Sequence, residues 1–355
     1  MRIKNKIYIL FSIILSMNIF AKTEMIPICY KDSYGFIDNN FEVKIPVCNK
    51  MIHFGDYDYV IVEKTKNEHV VYDSNCNEIY NSKGTSFFYK IKPITNDKFY
   101  VLFISDGFWY DIKTKSKLDK SFSPSLSYED ENNNLLAGDF NYYKLDSGIK
   151  VFVDKMWDST YPFVNKRAVT RNFENKWEII NENGVVVRFV KGQIAEKYSQ
   201  GLIPYIDTVT SYESGFLDIE GNVVFSCPIY LDDDKWSAPR IRPQISCSFK
   251  EDVACVPVSA DEWRIYDKTG KVLFKTNEYK LADNTFSEGK ICVYKETSDG
   301  KQYLFLDKKG KPFSKYRFDK ANSFYNGYAM VVYNGKDALL DSSGKLIFVS
   351  DILGL

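Results

Sequence analysis

Carboxylates are plentiful in this sequence, and they can catalyse a reaction without leaving a local motif. Two Asp or Glu side chains that face each other across a groove suffice for glycoside hydrolysis. Four regularly placed aspartates each precede a glycine by three residues: Asp218, Asp267, Asp307 and Asp341. Because Asp-x-x-Gly is typical of a tight turn, a structural role is favoured for these four. A carbohydrate-active hydrolase with paired Asp and Glu is the alternative function.

The motifs of the common enzyme and metal-binding classes are missing from the sequence. It contains only two histidines, His53 and His69, in no metal-ligand or catalytic-triad spacing. Zincin, nucleophile-elbow, Walker and dinucleotide-binding motifs are absent, and no two cysteines form a CxxC pair. The acidic runs at 130–134 and 232–234 lack the spacing of a calcium loop. We therefore expect a non-enzymatic protein without cofactor or metal.

The four aspartates belong to a phrase that occurs five times between residues 177 and 344. Each copy is a short apolar and aromatic run that ends in an acid or amide and is followed by a turn closed by glycine. The copies begin at Trp177, Ser214, Trp263, Tyr303 and Asp337. Aromatic and branched residues fit a half-buried strand. A second apolar run follows after Gly221, Gly270 and Gly344, so the phrase predicts a β-hairpin.

A shorter motif precedes several hairpins, in which an aromatic residue is followed three positions later by glycine and then by a strand. It occurs at Tyr198, Phe286 and Phe324. The complete unit is therefore predicted to be a meander of three strands, which needs neighbouring units to cover its apolar face. The amino-terminal half follows the same pattern without the turn glycine, where Phe41, Cys76 and Thr114 stand instead.

The spacing predicts about nine units, which begin near residues 26, 58, 98, 139, 166, 201, 252, 290 and 327. Between 120 and 172 the pattern supports at most one unit, on Val151–Asp154, so the array has a candidate break there. The expected fold class is all-β, an array of about nine three-stranded antiparallel units arranged radially like a propeller. Closure would protect the strand edges. An open β superhelix is the alternative.

The units that match the repeat pattern most completely resemble a known family of repeats. The matching segments are Tyr34-Gly-Phe-Ile-Asp38, Ser214-Gly-Phe-Leu-Asp218 and Phe286-Ser-Glu-Gly289. They are similar to the WG-repeat family of bacterial exported proteins, although the Trp-Gly dipeptide that names the family is absent from the chain. The resemblance covers most of residues 25–349. It implies a binding or scaffold role and supplies no catalytic residues.

The amino terminus has the plan of a secretory signal peptide. Arg2, Lys4 and Lys6 precede an apolar stretch from Ile7 to Phe20, and Ala21 offers a cleavage site. We expect a signal peptide at residues 1–21 and a repeat region at 22–355, located in the periplasm or outside the cell. The apolar stretch is shorter than a spanning helix needs, so no stable membrane span is expected after cleavage; retention as an anchor is the alternative.

The charges of the mature chain argue against a nucleic-acid partner. Cleavage after Ala21 leaves 44 basic and 47 acidic residues, without a basic stripe in the sequence. The electrostatic attraction that dominates nucleic-acid affinity is therefore missing.

Seven cysteines in an exported chain suggest disulfides, but the number is odd. Cys227 and Cys247 flank the longest insertion and are the disulfide candidate; such a bridge would contribute about 3 kcal/mol. Cys255 with Cys292 is the competing pair, because both occupy the same strand of consecutive units. Small buried thiols in strands are the remaining interpretation.

One loop interrupts the regular spacing of the repeat units and carries residues that are common in binding hot spots. It spans residues 231–243 and contains Trp236, Arg240 and Arg242. We predict that these three side chains contact the partner, a protein or glycan at the cell envelope.

Overall fold

The computed structural model of the protein describes residues 25–355, apart from residues 54–56, 58, 66–67, 84–87, 96–97, 104–106, 119–134, 138–139, 145–149, 191, 195–197, 208–212 and 231–246. Its regular structure is β-strand except for one short helix, α1 (Val349–Leu353). Within these described ranges, no helix has the length and hydropathy needed to cross a membrane.

The described strands form nine small antiparallel sheets that follow one another along the chain. The first four sheets contain β1 (Ile26–Tyr30), β2 (Ser33–Ile37) and β3 (Val43–Asn49); β4 (Met51–His53), β5 (Tyr59–Thr65), β6 (Glu68–Asp73) and β7 (Glu78–Asn81); β8 (Phe88–Thr95), β9 (Lys98–Phe103), β10 (Gly107–Asp111) and β11 (Ser116–Leu118); and β12 (Leu135–Ala137) with β13 (Tyr142–Lys144).

The remaining sheets contain β14 (Ser159–Thr160), β15 (Arg167–Arg171), β16 (Trp177–Asn181) and β17 (Val186–Phe189); β18 (Gln193–Ile194), β19 (Ile203–Ile206), β20 (Ser214–Leu217) and β21 (Val223–Ser226); β22 (Val253–Pro257), β23 (Trp263–Asp267) and β24 (Val272–Thr276); β25 (Lys280–Leu281), β26 (Lys290–Thr297) and β27 (Gly300–Asp307); and β28 (Lys320–Ala321), β29 (Tyr328–Tyr333), β30 (Lys336–Asp341) and β31 (Leu346–Phe348). This succession of sheets confirms the predicted array of β units.

The cores lie between consecutive sheets, because alternate residues of one strand point to opposite faces. On β22, Val253 and Cys255 pack against sheet eight, whereas Ala254 and Val256 pack against sheet six. Clusters of the same kind join sheets one to three and sheets four to nine. Sheets two and five to eight therefore each lie between two neighbours, which explains why their inner strands, such as β22, are almost continuously apolar.

The two ends of the array meet. Ile26 and Ile37 of sheet one share a buried cluster with Leu339 of sheet nine and with Val349 of α1. The Asn326 side chain donates a hydrogen bond of 2.9 Å to the Met25 carbonyl. The contact is made by packing, since none of the described sheets combines strands from both ends. The ends thus cover each other's apolar faces, as in a propeller.

The predicted turns, here called the Asp-Gly turns, have the expected chemistry. In seven of them the acid or amide Oδ1 accepts the backbone N–H groups two and four residues further on; these turns begin at Asp38, Asp73, Asn181, Asp218, Asp267, Asp307 and Asp341. The acids are therefore part of the architecture.

The closing position of these turns has positive φ even where glycine is missing. Phe41 has φ 63° and Cys76 has φ 64°, as their places in the pattern predicted. The prediction for Thr114 was wrong, because Lys115 holds the positive φ of 50°. Asp111 pairs with Ser116, and its side chain accepts the N–H of Thr114, three residues on. The changed hydrogen bond moves the left-handed position by one residue.

Two other expectations need correction. Five sheets contain four strands rather than three, and strands of only two residues, such as β14 and β28, have no alternation that a sequence could reveal. The strand predicted at Val151–Asp154 is absent, since this segment is irregular. Its Phe152 ring instead joins the core between sheets four and five, directly beneath Gly184.

Candidate functional site

A second kind of turn, here called the entry turn, precedes one strand in each of sheets six to nine: β19, β22, β26 and β29. Its two central residues both have positive φ: Gln200 and Gly201, Glu251 and Asp252, Glu288 and Gly289, and Asn326 and Gly327. Two consecutive left-handed residues define the tight turn that joins antiparallel segments. The aromatic-x-x-Gly motif predicted three of these turns, at Gly201, Gly289 and Gly327, and it placed a polar residue before the glycine in each of them.

The polar residue of each entry turn binds the neighbouring unit. The Glu251 carboxylate accepts the backbone N–H groups of Glu288 and Gly289, at 2.5 and 2.8 Å. The Glu288 carboxylate accepts the N–H of Gly327 at 3.0 Å. Gln200 Oε1 accepts the N–H of Asp252 at 2.8 Å. Hydrogen bonds to an ionised acceptor are among the stronger ones in proteins, so these contacts couple consecutive units.

These turns and the segments after β25 and β28 line an open groove of about 750 Å³. We call it the entry-turn groove. It crosses units six to nine, from Gln200 at one end to Asn322 and Ser323 at the other. Phe324 and Tyr325 also line it and are largely buried. The volume lies within the range of small-ligand sites.

The groove has more acids than bases along its walls. Glu251, Asp283 and Glu288 line it together with a single lysine, Lys250. The Ser323 hydroxyl donates a short hydrogen bond to Asp283. Outside the lining, Lys308 lies 3.6 Å from the Glu251 carboxylate. Cations are therefore expected to be tolerated better than anions in this groove.

Three polar side chains of the groove make no contact that the fold requires. Among the described residues, the side chains of Lys250, Thr285 and Asn322 have no hydrogen-bond or ion-pair partner. They offer an ammonium group, a hydroxyl and an amide, which together donate and accept hydrogen bonds. This combination suits a ligand with several hydroxyl or peptide groups.

The groove also contains a thiol, but its chemistry is suppressed. Burial raises the pKa of Cys292 to about 12, and the nearby Asp283 carboxylate contributes in the same direction. A thiol with such a pKa stays protonated at neutral pH, and the thiolate is the nucleophilic form. Cys292 therefore behaves as a small apolar residue of the groove floor.

Within the entry-turn groove, paired catalytic carboxylates would have to come from the same three acids. Glu251 and Glu288 use their oxygens to accept backbone N–H groups of the next turn, and Asp283 accepts the Ser323 hydroxyl. Each acid therefore has a structural bond that explains its presence. In the described ranges, no group of three or more His, Cys, Asp or Glu side chains is arranged to hold a metal ion.

The residues predicted from sequence fall elsewhere. Trp236, Arg240 and Arg242 lie outside the described residues, so their role stays a prediction. Cys227 and Cys247 are both buried in the cluster between sheets six and seven, and their disulfide also stays a prediction. Burial raises the pKa of the Cys227 thiol to about 12.

The competing disulfide, Cys255 with Cys292, is wrong. Cys255 packs in the cluster between sheets seven and eight, and Cys292 packs in the cluster between sheets eight and nine. The two side chains thus lie on opposite sides of sheet eight, and both thiols are free. Because the two positions are equivalent, each side chain points toward the sheet that follows its own, and sheet eight separates the two thiols.

Sequence reasoning missed the groove residues Lys250, Thr285 and Asn322. They come from three consecutive units, 35 and 37 residues apart, but their residue types differ and form no recurring motif. The only signal that pointed to their neighbourhood was the aromatic-x-x-Gly motif, because it fixes the entry turns around which the groove forms.

Comparison with solved structures supports the fold. The chain is similar to a structure described as the crystal structure of the eukaryotic initiation factor, with a TM-score of 0.57 and 9% identity over 92% of this chain and 96% of that chain. Two further structures align with lower scores. They are Hsv2p from Kluyveromyces lactis, with a TM-score of 0.46 and 11% identity over 72% of this chain and 96% of that one, and BamB from Moraxella catarrhalis, with 0.41 and 9% over 80% and 94%.

No curated protein matches the sequence. The family model described as "WG containing repeat" matches residues 305–336, which extend from β27 across β28 and β29 to the start of β30. These residues include the Asp-Gly turn at Asp307 and the entry turn at Gly327. The match confirms the resemblance seen in the turn chemistry and identifies residues 305–336 as a WG-type repeat.

Proposed function

We propose that the chain is an exported, non-enzymatic β-repeat protein that serves as a binding or scaffold module for a protein or glycan at the envelope of a bacterium. The entry-turn groove is the observation that carries this proposal. Its acids hold the units together, while Lys250, Thr285 and Asn322 have no role in the fold. Exposed polar groups that are uncommitted and converge on one concave surface favour ligand recognition.

The binding role is tested by capture of partners from an envelope extract of the source organism with residues 22–355. The groove variant combines Lys250→Ala with Asn322→Ala. Its matched control, Lys275→Ala with Asn277→Ala, removes one lysine and one asparagine that are likewise exposed but lie on and after β24. The groove variant should lose the captured partner, and the control should retain it. Equal capture by both variants would exclude the groove.

A glycan array with the same three proteins separates the two partner classes. Binding of a glycan that the groove variant loses would assign a saccharide ligand. Capture of a protein without any glycan signal would assign a protein partner. Both outcomes use side chains that are exposed, so neither variant should affect folding.

Export is supported by the amino-terminal sequence alone, with Arg2, Lys4 and Lys6 ahead of an apolar stretch and Ala21 at its end. Cell fractionation followed by amino-terminal sequencing should find the protein outside the cytoplasm, beginning at Lys22. Recovery of the intact amino terminus from the membrane fraction would instead indicate the retained anchor.

A carbohydrate-active hydrolase is the second candidate, favoured by the presence of Asp283 in the same groove as Glu251 and Glu288. Hydrolysis needs two carboxylates on either side of the scissile bond. Asp283→Asn should abolish hydrolysis of any glycan that the array identifies, if the protein is an enzyme. A bound glycan that stays intact during prolonged incubation with the unmodified protein would favour the binding module.

A further inference from the structure

A second pocket lies at the opposite edge of sheets eight and nine. The hairpins β26–β27 and β29–β30 end there, at Thr297 with Gly300 and at Tyr333 with Lys336. The segment that joins the two sheets passes between them. The pocket has a volume of about 430 Å³, and we call it the hairpin-end pocket. The entry turns lie at the other end of the same strands, about 20 Å away along six residues of strand.

Aromatic rings form one wall of this pocket. Phe318 is fully buried, and Tyr316 and Tyr333 are partly exposed. The rings of Tyr316 and Tyr333 meet edge to face, with centroids 5.3 Å apart. The rings of Phe318 and Tyr333 meet in the same way at 6.2 Å. This packing holds both tyrosines in place at the surface, where they offer apolar area at little cost in side-chain entropy.

Three cations line the pocket without forming an ion pair among the described residues. Lys301, Lys315 and Arg317 have no Asp or Glu oxygen within 4.0 Å among the described residues. Lys301 Nζ lies 4.3 Å from the ring centroid of Tyr294. Arg317 donates through Nη1 to the Tyr316 carbonyl at 3.0 Å, which anchors one side of its planar guanidinium group.

Neighbouring lysines of the same sheet show the opposite behaviour. Lys280 lies 3.2 Å from Glu296, and Lys295 lies 3.2 Å from Glu278. These cations outside the pocket are therefore paired, and those inside it are not. A concave surface on which cations outnumber acids attracts an anionic group.

The two acids of the pocket are partly committed to the fold. Asp319 Oδ2 accepts the N–H of Gly335 at 2.8 Å, and Asp299 Oδ1 accepts the Ser298 hydroxyl at 3.3 Å. With three cations, the pocket keeps one net positive charge. It would therefore attract a ligand that carries a carboxylate, and the remaining carboxylate lone pairs of Asp299 and Asp319 can accept hydroxyl groups.

We propose that the hairpin-end pocket binds an acidic saccharide unit of the uronic acid class. The guanidinium of Arg317 suits a carboxylate, which it can hold through two parallel hydrogen bonds. Tyr316 and Tyr333 supply apolar surface for the C–H groups of a sugar ring, and Asp299 and Asp319 accept its hydroxyls. This site does not depend on the entry-turn groove or on its ligand.

Calorimetry with residues 22–355 and a galacturonic acid trisaccharide tests the proposal. The trisaccharide should bind, and a neutral galactose trisaccharide should bind at least about tenfold more weakly, because it loses one charge-assisted contact. Arg317→Gln should weaken trisaccharide binding about tenfold. Raising the salt concentration should also weaken it. Equal affinity for the charged and neutral trisaccharides would overturn the proposal.

Three further variants and one further ligand make the test specific to this pocket. Lys309→Gln removes an exposed lysine of the Asp-Gly turn outside the pocket and should leave affinity unchanged. Lys301→Gln combined with Lys315→Gln should also weaken binding. Both positions are exposed, so this second variant tests the pocket even if the Arg317 variant fails to fold. A glutamate-rich peptide that binds more tightly than the trisaccharide would reject the saccharide class. The variant that combines Lys250→Ala with Asn322→Ala should bind the trisaccharide normally. A negative result for the entry-turn groove would therefore leave the test of the hairpin-end pocket unaffected.

Discussion

The Asp-Gly turns and the entry turns lie at the same edge of sheets six to nine; in sheets eight and nine, Lys290 pairs with Asp307 and Tyr328 pairs with Asp341. The two kinds of turn use acid and glycine in opposite ways. In the Asp-Gly turns the acid binds its own turn, and the glycine packs on the preceding unit. In the entry turns the acid binds the next unit.

The glycines make the difference clear. A Cβ on Gly270 would lie 2.6 Å from Phe225 Cγ, and one on Gly310 would lie 2.7 Å from Phe274 Cδ2. A Cβ on Gly289 or Gly327 would meet nothing within 4 Å. The Asp-Gly turns therefore seal the packing between units, whereas the entry turns leave open space beside their backbone. The polar residues Glu251 and Glu288 of these entry turns line the groove.

The largest effect is expected from Gly270→Ala. The substitution combines left-handed backbone strain with a clash against Phe225, and should lower the free energy of unfolding by about 3 kcal/mol. Gly289→Ala has similar φ without the clash and should cost about 1 kcal/mol. Urea titrations that keep the m-value constant would measure both. Equal costs would show that packing does not distinguish the two turns.

A smaller effect is expected from Glu251→Ala. The variant leaves the partly buried N–H groups of Glu288 and Gly289 without their acceptor, which should cost about 2 kcal/mol. Glu251→Gln retains an oxygen acceptor and should restore part of this loss. The same titrations apply, and an unchanged midpoint for the alanine variant would contradict the coupling between units.

Asp267→Ala should cost less, about 1 kcal/mol, as for the loss of a helix-capping side chain. Water can reach the exposed N–H groups of Thr269 and Lys271 that the carboxylate binds. The effect of combining this variant with Glu251→Ala should be additive to within about 0.5 kcal/mol, because the Asp-Gly acid acts only within its own turn. A clear deviation from additivity would show that the two turns are coupled.

The smallest effect is a pH dependence of the Asp-Gly turns. The hydrogen bond from the Thr269 hydroxyl is the largest cause that lowers the pKa of Asp267 in the folded protein. A carboxyl with a lowered folded pKa stabilises the protein above its unfolded pKa of about 3.9, and this contribution is lost as the pH falls through the folded pKa.

Comparison of the unmodified protein with Asp267→Asn between pH 6 and pH 3 isolates this contribution. The amide should keep the turn, as Asn181 does in unit five, and should remove the contribution of Asp267 to the pH dependence. The difference in stability should shrink as the pH falls. A difference that grows on acidification would contradict the sign of the shift.

The sequence determined the β units, their number and the chemistry of the Asp-Gly turns, because all three depend on residues within a few positions of one another. Asp267 and Gly270 illustrate this, since the turn needs only its own backbone to make its hydrogen bonds. In the turn at Asp111, the positive-φ residue was predicted one position too early. The Asp111 side chain there accepts the N–H group three residues further on instead of those two and four residues on.

Only the tertiary structure decided which residues of different units come together. Lys250, Thr285 and Asn322 meet in the groove, and Lys301 and Arg317 meet in the hairpin-end pocket, although no sequence motif marks any of them. The contact between Ile26 and Leu339 likewise depends on the angle at which each sheet follows the last. Such angles arise from side-chain packing summed over the whole array, which a local pattern of strands and turns does not record.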